Sequence, residues 1–456
     1  MKCGGQDGPA SCKKECSEDF EYSARESRLE LAAKTHGGET MTELTGLVMD
    51  SPERNGLDPD RLRHAFAILE GWIADSVVPG IGAVVAREGR VVAEAYFGTA
   101  DRLTGRPVDD RTIWSVASVT KPFTAAVVMR AVDSGLVSLD EPVARHVPEL
   151  LSGTAEDRGD FVHFRDLITI RHCLSHSSGL PGFSAANFDL RRAHRPLSDF
   201  VQSFARAPQL FEPMSAHLYS NCGILMAAEV AGRVLANQDS PGEPVTSGVE
   251  AFHNGFAHLL HDLGSVSSSL LPPEAWSGRT ATVVDTGQEG TSWEAANSAY
   301  YRSLGIPWGG LFTTPRELLT FLAIFRSSQG GATSSGKRIL SAAGAREMVT
   351  VQASGPDFDA VVAPDLRDSA ASASPRSAVP WGIGWDVKAG KRAHPTGDLT
   401  SPGTWSHTGA TGTLVWSDPV VDVQVVLLTN RTLGSGWTRE RPRQAMFSNA
   451  VMSAVR

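Results

Sequence analysis

Segments with the pattern of β-strands lie near both ends of this 456-residue chain, and a long, mainly helical stretch at 118–299 separates them. Helical spacing of apolar residues begins the ordered part, at Leu62, Phe66, Leu69 and Ile73. Strands are predicted at 81–86, 91–97, 382–387, 412–417 and 420–429, and helices at 315–326 and from about residue 442. Strands from both ends can share one core only by pairing with each other. The predicted fold class is therefore α/β (α+β): an antiparallel sheet flanked by helices, built from both chain ends, with an inserted mainly helical domain.

Changes in composition divide the chain further. Residues 1–50 are rich in Gly, Ser, Lys and Glu with little periodic apolar content, which predicts a disordered leader. Residues 353–380 are rich in Ser, Ala and Pro, as is typical of a surface insertion. The body between about 58 and 450 is predicted to hold an α/β part, at 58–117 and 300–450, and a mainly helical part at 118–299.

The charge balance excludes one class of partner. The 42 Lys and Arg residues face 51 Asp and Glu residues, a formal net charge of −9, so the chain has no broad attraction for phosphate backbones or anionic lipid. We therefore predict no nucleic-acid partner. No stretch has the apolar length of a membrane span, and residues 1–20 lack the apolar run of a secretory signal, so the sequence predicts a cytoplasmic location.

The cysteines do not indicate a disulfide scaffold, because there are five of them without a regular spacing. Cys173 and Cys222 lie alone in the body of the chain. Cys3, Cys12 and Cys16 form a cluster that could in principle hold a metal, but a fourth ligand is not evident near them. No metal site is predicted.

A first candidate motif is Ser118-Val119-Thr120-Lys121, followed by Pro122 and an apolar helical segment. Proline near a helix start places the Ser118 hydroxyl in the first turn, where free backbone N–H groups favour a developing oxyanion. Lys121 lies on the same face and can help to deprotonate the hydroxyl if burial destabilises its ammonium. The alternative is a helix cap followed by a solvated lysine. The same spacing occurs at 11–14 and 334–337, where it opens no apolar helix.

A second candidate motif is Tyr219-Ser220-Asn221, which precedes another helical segment. A phenol beside a lysine can relay a proton, and the amide of Asn221 can orient a substrate carbonyl. The alternative is a tyrosine that anchors a loop and an asparagine that caps a helix.

A third candidate motif is His407-Thr408-Gly409-Ala410, which leads into the strand predicted at 412–417. Beside a nucleophile, Thr408 can bind a substrate carboxylate, and Gly409 permits a close backbone approach. The N–H of Ala410 can then pair with that of Ser118 in an oxyanion hole. The alternative is an ordinary turn ahead of a strand.

Taken in this order, the three motifs resemble those of the serine penicillin-recognising enzymes: class C β-lactamases, D-alanyl-D-alanine carboxypeptidases and family VIII esterases. The segments 168–181 and 304–311 are similar to stretches of the same group. The resemblance covers residues 58–450 and implies a β-lactamase/transpeptidase-like fold without metal or organic cofactor. It also implies that Ser118 is acylated, that Lys121 and Tyr219 move its proton, and that water releases the acyl group.

One residue departs from the β-lactamase pattern. Most β-lactamases carry Lys at the first position of the third motif, where this chain has His407. A lysine is a permanent cation for a substrate carboxylate, whereas a histidine is mostly neutral at pH 7. We therefore expect a serine hydrolase that acts on a small ester or amide, with esterase activity preferred to β-lactamase or D-alanyl-D-alanine carboxypeptidase activity. A catalytically idle binding or assembly module is the alternative from a different class. The oligomeric state does not follow from the sequence.

Overall fold

A computed structural model describes residues 30–31, 47–152, 160–239, 245–358 and 378–456. Most of the predicted leader, with Cys3, Cys12 and Cys16, lies outside the described residues, and so does most of the predicted insertion. Two described pieces of the leader are strands: β1 (Glu30–Leu31) and β2 (Val48–Met49). Both pair with β4 (Arg90–Asp101).

The other elements follow in chain order. The strands are β3 (Gly80–Arg87), β5 (Arg106–Pro107), β6 (Trp114–Ser115), β7 (Phe312–Thr313), β8 (Asp386–Val387), β9 (Trp405–Gly409), β10 (Thr413–Asp418) and β11 (Val423–Thr429). The helices are α1 (Pro59–Ala74), α2 (Thr120–Asp133), α3 (Ile170–Leu174), α4 (Asn187–Arg192), α5 (Leu197–Ala205), α6 (Asn221–Asp239), α7 (Val249–Asp262), α8 (Ala299–Leu304), α9 (Pro315–Ala323), α10 (Ala342–Val349) and α11 (Arg443–Ser453).

One sheet joins the two ends of the chain, in the order β1-β4-β3-β11-β10-β9-β8. All neighbours along this order are antiparallel. The central pairing, β3 with β11, joins strands about 340 residues apart and matches Ile81 with Thr429 and Arg87 with Val423. The predicted fold class is confirmed: strands from both ends form a mostly antiparallel sheet, and helices flank it.

Each face of the sheet buries a separate set of apolar residues. In β3, Ile81, Ala83 and Val85 pack beneath α1 and α11, whereas Val84 and Ala86 point into the core on the other face. This alternation follows from the two-residue period of a strand. The second core contains α9, whose sequence begins with Pro315 after the N-cap residue Thr314.

Helix α6 is the centre of the helical part. It packs against α2, α3, α5 and α7, and its residues from Cys222 to Ala231 are all buried. The helix α2 begins at Thr120, shortly after Ser118, and α6 begins with Asn221. The two helices pack together with their starts side by side, since Lys121 lies against the ring of Tyr219. Among the helices of the described ranges, none combines the length and apolar character that a bilayer crossing needs.

Two strands begin several residues later than predicted. The strand expected at 382–387 is only β8, because a turn closed by the Gly382 N–H and the Trp385 carbonyl takes up its first residues. The strand expected from residue 420 begins at Val423, because the Asp418 carboxylate accepts the Val420 N–H and extends the turn. The third motif, for which an ordinary turn was the alternative, lies mostly in the strand β9.

Candidate active site

The turn that carries Ser118 is held by its neighbours on both sides. Ala117 has a positive φ of 46°, and Thr120 Oγ1 donates a hydrogen bond of 2.6 Å to the Ala117 carbonyl. The same Thr120 oxygen accepts the N–H of Leu311 at 3.0 Å. Ser118 is half-buried in the 3₁₀ turn Ala117–Val119, immediately before α2. The strained residue and the two bonds fix where the Ser118 hydroxyl points.

Lys121 is completely buried, and its Nζ lies 3.0 Å from Ser118 Oγ. Nζ also donates a hydrogen bond of 2.8 Å to the Trp308 carbonyl. Burial holds the pKa of Lys121 well below its ordinary value, because a charged ammonium loses its hydration there. Burial therefore favours the neutral amine, which is the form that can accept a proton.

Tyr219 lies on the other side of the Lys121 amine, with its ring centroid 4.6 Å from Nζ. Its hydroxyl interacts with the Ser118 side chain. Burial raises the pKa of Tyr219 above its ordinary value, and the hydrogen bond to Ser118 opposes that shift. The structure thus brings the serine, the lysine and the tyrosine together. Burial favours the neutral form of both the amine and the phenol.

Asn221 begins α6 and is held in place by its backbone, since its N–H donates to the Gly182 carbonyl at 3.1 Å. The residue is buried beside the tyrosine motif. Its side-chain amide has no hydrogen-bond partner in the described part of the chain, so it is available to a substrate.

The third motif lies on β9 and docks against the residues before Ser118. A Cβ on Gly409 would lie 2.2 Å from the Val116 carbonyl oxygen, so only glycine allows this approach. Thr411 Oγ1 donates to the Ser115 carbonyl at 2.7 Å, and Thr413 Oγ1 donates to the Val116 carbonyl at 3.1 Å. These contacts bring the exposed Ala410 close to the Ser118 turn.

His407 is buried in β9, and its Nδ1 lies 2.8 Å from the Thr408 carbonyl. Burial lowers the pKa of His407 to about 3, and the nearby Lys121 adds to this effect. A neutral imidazole therefore occupies the position of the usual lysine cation. Among the described strands, β8 pairs only with Trp405 and Ser406, so β9 keeps an open edge at Thr408.

Two further histidines lie near Tyr219: His176 contacts its ring, and His217 contacts His176. The His176 ring is 4.4 Å from the Tyr219 ring, and its Nδ1 accepts the Ser220 N–H at 3.0 Å. Burial lowers the pKa of both His176 and His217, that of His217 to about 4. Trp381 completes this layer, with its ring centroid 5.8 Å from that of Tyr219.

A cavity of about 480 Å³ adjoins the third motif at Thr408. Trp381, Asp386 and Lys391 also line it. The Lys391 ammonium forms an ion pair with Asp386, and His394 Nε2 lies 3.2 Å from the same carboxylate. Although burial raises the pKa of Asp386, Lys391 and His394 more than offset this and hold it below its usual range. Asp386 therefore compensates the Lys391 charge on this side of the site.

The backbone partners of the site were not evident in the sequence. The Trp308 carbonyl holds Lys121 but has no side-chain signature. Two other histidines stand apart from the site: His172 caps α3 with Thr169, and His253 Nε2 lies 2.8 Å from the Gly305 carbonyl.

This fold and this grouping of serine, lysine and tyrosine define a class, the penicillin-recognising serine hydrolases. The Beta-lactamase family model matches residues 65–447, and the chain belongs to that family and with it to the serine hydrolases. The expected relationship is confirmed.

Curated relatives carry different names. Esterase EstB of Burkholderia gladioli is 31% identical over 203 residues, which are 41% of this chain and 47% of the esterase. In that match the chain thus spans about half the length of the curated relative. A Salmonella gallinarum protein named "Putative D-alanyl-D-alanine carboxypeptidase" is 24% identical over 411 residues, 84% of this chain and 86% of that protein.

Solved structures share the fold. A penicillin-binding protein homologue from Caulobacter crescentus aligns with a TM-score of 0.63 and 21% identity over 88% of this chain and 99% of its own. A family VIII carboxylesterase aligns with a TM-score of 0.63 and 20% identity over 87% and 97%. At such identities the likeness concerns the fold alone.

Proposed function

We propose that this chain hydrolyses a small ester or amide through an acyl-serine intermediate on Ser118, with esters preferred. The observation that carries the proposal is the 3.0 Å separation between Ser118 Oγ and the Nζ of a completely buried lysine. A buried amine of lowered pKa can act as a base at neutral pH, which a solvated lysine cannot. A helix-capping serine with a lysine in solvent would have neither feature.

The proton path follows from the same contacts. As Ser118 Oγ bonds to the substrate carbonyl carbon, its proton moves to Lys121 Nζ, and the carbonyl oxygen becomes an oxyanion. When the carbon–heteroatom bond breaks, a proton reaches the leaving group through the Tyr219 hydroxyl, which interacts with Ser118. Water then attacks the acyl-serine by the reverse path, and the acid leaves. The raised pKa of Tyr219 favours this relay role over that of the initial base.

The oxyanion would bind between two backbone N–H groups, those of Ser118 and Ala410. The docking of β9 on Val116 supports this pairing, because the Gly409 contact leaves no room for a shift of the strand. Donors fixed before the reaction stabilise a developing charge without reorganisation. Asn221, at the start of α6, is the candidate for binding the substrate through its side-chain amide.

The charge state of the third motif favours an ester over a β-lactam or a D-alanyl-D-alanine peptide. Both of the latter carry a carboxylate close to the scissile bond, and a neutral His407 offers it no cation. Lys391, in the adjoining cavity, is already paired with Asp386. One relative is named an esterase, which agrees with the preference for esters. Another relative is named a carboxypeptidase, so carboxypeptidase activity is the alternative.

Covalent labelling tests the nucleophile. A fluorophosphonate probe should label the intact protein, and Ser118→Ala should abolish the label. Ser334→Ala is the matched control, because Ser334 also precedes a lysine by three residues but lies in an exposed turn. An unlabelled intact protein would favour the idle binding module, and a label that persists in Ser118→Ala would reject this nucleophile.

Comparison of substrates tests the preference. We expect kcat/KM to be highest for a p-nitrophenyl short-chain ester, when this is compared with a chromogenic cephalosporin and a D-Ala-D-Ala peptide. A higher kcat/KM for the cephalosporin than for the ester would contradict the proposed preference for esters.

A further inference from the structure

Arg191 is a buried arginine on α4 without an acidic partner. Only 7% of its surface is exposed, and no carboxylate within the described ranges pairs with it. The two arginines that follow it in the sequence have partners, since Arg192 binds Asp189 and Arg195 binds Asp199. A buried guanidinium is costly unless something compensates its charge.

Aromatic rings supply the contacts of Arg191. Its guanidinium carbon lies 5.9 Å from the centroid of Phe188 and 5.7 Å from that of Tyr301. Such cation–π contacts stabilise the charge but leave the N–H donors in the guanidinium plane unused. The polar edge of Arg191 is therefore available to an acceptor from outside the protein.

A second polar side chain on the same face is also without a partner. Asn187 lies four residues before Arg191, so the two side chains share one face of α4. Asn187 is 1% exposed, and neither its amide oxygen nor its amide nitrogen has a hydrogen-bond partner in the described structure. Buried amides are rarely left unpaired. Two such residues on one face point to a missing polar group.

The Tyr301 ring connects this face of α4 with the candidate active site. The Arg191 guanidinium contacts one face of the Tyr301 ring, and the Tyr301 hydroxyl donates to the Gly309 carbonyl at 3.2 Å. The preceding carbonyl, that of Trp308, binds Lys121. The Tyr301 ring and the backbone at Trp308 and Gly309 thus connect the Arg191 guanidinium to Lys121.

We propose that Arg191 binds a carboxylate that the substrate carries several atoms away from the scissile carbonyl. The inference rests on the proposed hydrolase function and specifies its substrate class: a half-ester or half-amide of a dicarboxylic acid. A planar guanidinium matches a carboxylate through two parallel hydrogen bonds. The exposed ring of Phe188 and the partly exposed ring of Trp293 offer an apolar surface to the connecting chain.

Paired substrates that differ only in charge test the subsite. We compare p-nitrophenyl hemiglutarate, which is an anion, with its methyl ester, which is neutral. In the intact protein kcat/KM should favour the anion. Arg191→Met should lower the anion-to-neutral ratio about tenfold, as expected from loss of a charge-assisted bond pair. Arg63→Met is the control, because Arg63 lies on α1 and is paired with Asp60, and it should leave the ratio unchanged.

A structural role for Arg191 would give a different result, because rates on both esters would fall together and their ratio would stay constant. That result, or an intact protein that favours the neutral ester, overturns the subsite. Arg191→Lys should restore part of the ratio, since it keeps the charge but not the planar fork.

A binding measurement separates the subsite from the chemistry. Calorimetric titration of the Ser118→Ala protein with glutaric acid monoanilide needs no turnover. Binding should weaken about tenfold when Arg191→Met is added and remain unchanged when Arg63→Met is added. If neither ester is hydrolysed, the proposed function fails, and this titration alone decides the subsite: equal affinity in the two double variants overturns it.

Discussion

The charge on Lys121 can be measured through the stability of the protein, and Lys121→Met is the decisive change. Burial keeps the pKa of this amine well below the value of 10.5 that it has in the unfolded chain. Between those two pKa values the unfolded chain binds one proton more than the folded protein at this residue. The free energy of unfolding of the intact protein therefore rises with pH over this range, by about 1.4 kcal/mol per unit from Lys121 alone.

The methionine variant lacks this dependence. The unpaired Trp308 carbonyl that it leaves is a cost independent of pH, so the slope isolates the titration of the lysine. Relative to the intact protein, the stability of Lys121→Met should therefore fall by about 1.4 kcal/mol for each pH unit between the lowered pKa of Lys121 and 10.5.

Urea unfolding followed by tryptophan fluorescence at several pH values provides the measurement. Lys337→Met is the control, because the Lys337 ammonium is half-exposed and paired with Asp262. Its stability curve should run parallel to that of the intact protein. Parallel curves for Lys121→Met as well would show that Lys121 stays charged in the fold, and the proposed base would be refuted. In the same variant kcat should fall by about 10²- to 10⁴-fold.

Two further predictions concern the third motif. Gly409→Ala should destabilise the protein by about 1–3 kcal/mol in urea unfolding and abolish ester hydrolysis, because the new Cβ would meet the Val116 carbonyl oxygen. Gly434→Ala, where an added Cβ meets only Thr432 Oγ1 at 3.9 Å, should change neither quantity, and equal effects would contradict the docking argument. His407→Lys should raise the cephalosporin-to-ester ratio of kcat/KM about tenfold, since it restores a cation beside the substrate carboxylate. An unchanged ratio would show that His407 does not set the preference.

The sheet could be predicted from the sequence because its strands have local signatures. The apolar runs in β3, β4, β10 and β11 all lie within predicted strands, and their placement at both ends required a common sheet. The strand β9 escaped prediction because its residues, Trp405 to Gly409, alternate little in polarity. They are buried by contact with the Ser118 turn, which is almost 290 residues away in the chain. Burial of this kind depends on the tertiary fold and leaves no local periodicity.

In the candidate site, too, the features with a local signature could be predicted and the others could not. Ser118, Lys121 and Tyr219 have side chains whose chemistry is legible in a sequence, and the structure brings them together. The Trp308 carbonyl has no such signature, because every residue carries a carbonyl. Arg191 was not singled out in the sequence either. Its distinguishing property is that it is buried without an acidic partner among the described residues, and this property can be seen only in three dimensions.

Burial has one common effect on the groups around Ser118. It lowers the pKa of Lys121, His176 and His407 and raises that of Tyr219, so burial shifts each of the four towards its uncharged form. An uncharged amine can take the serine proton without first losing one of its own. The same uncharged surroundings offer no cation to the oxyanion, so the backbone N–H groups must stabilise it. Rigid docking of β9 against the Ser118 turn is therefore as necessary to the proposed chemistry as the neutral lysine.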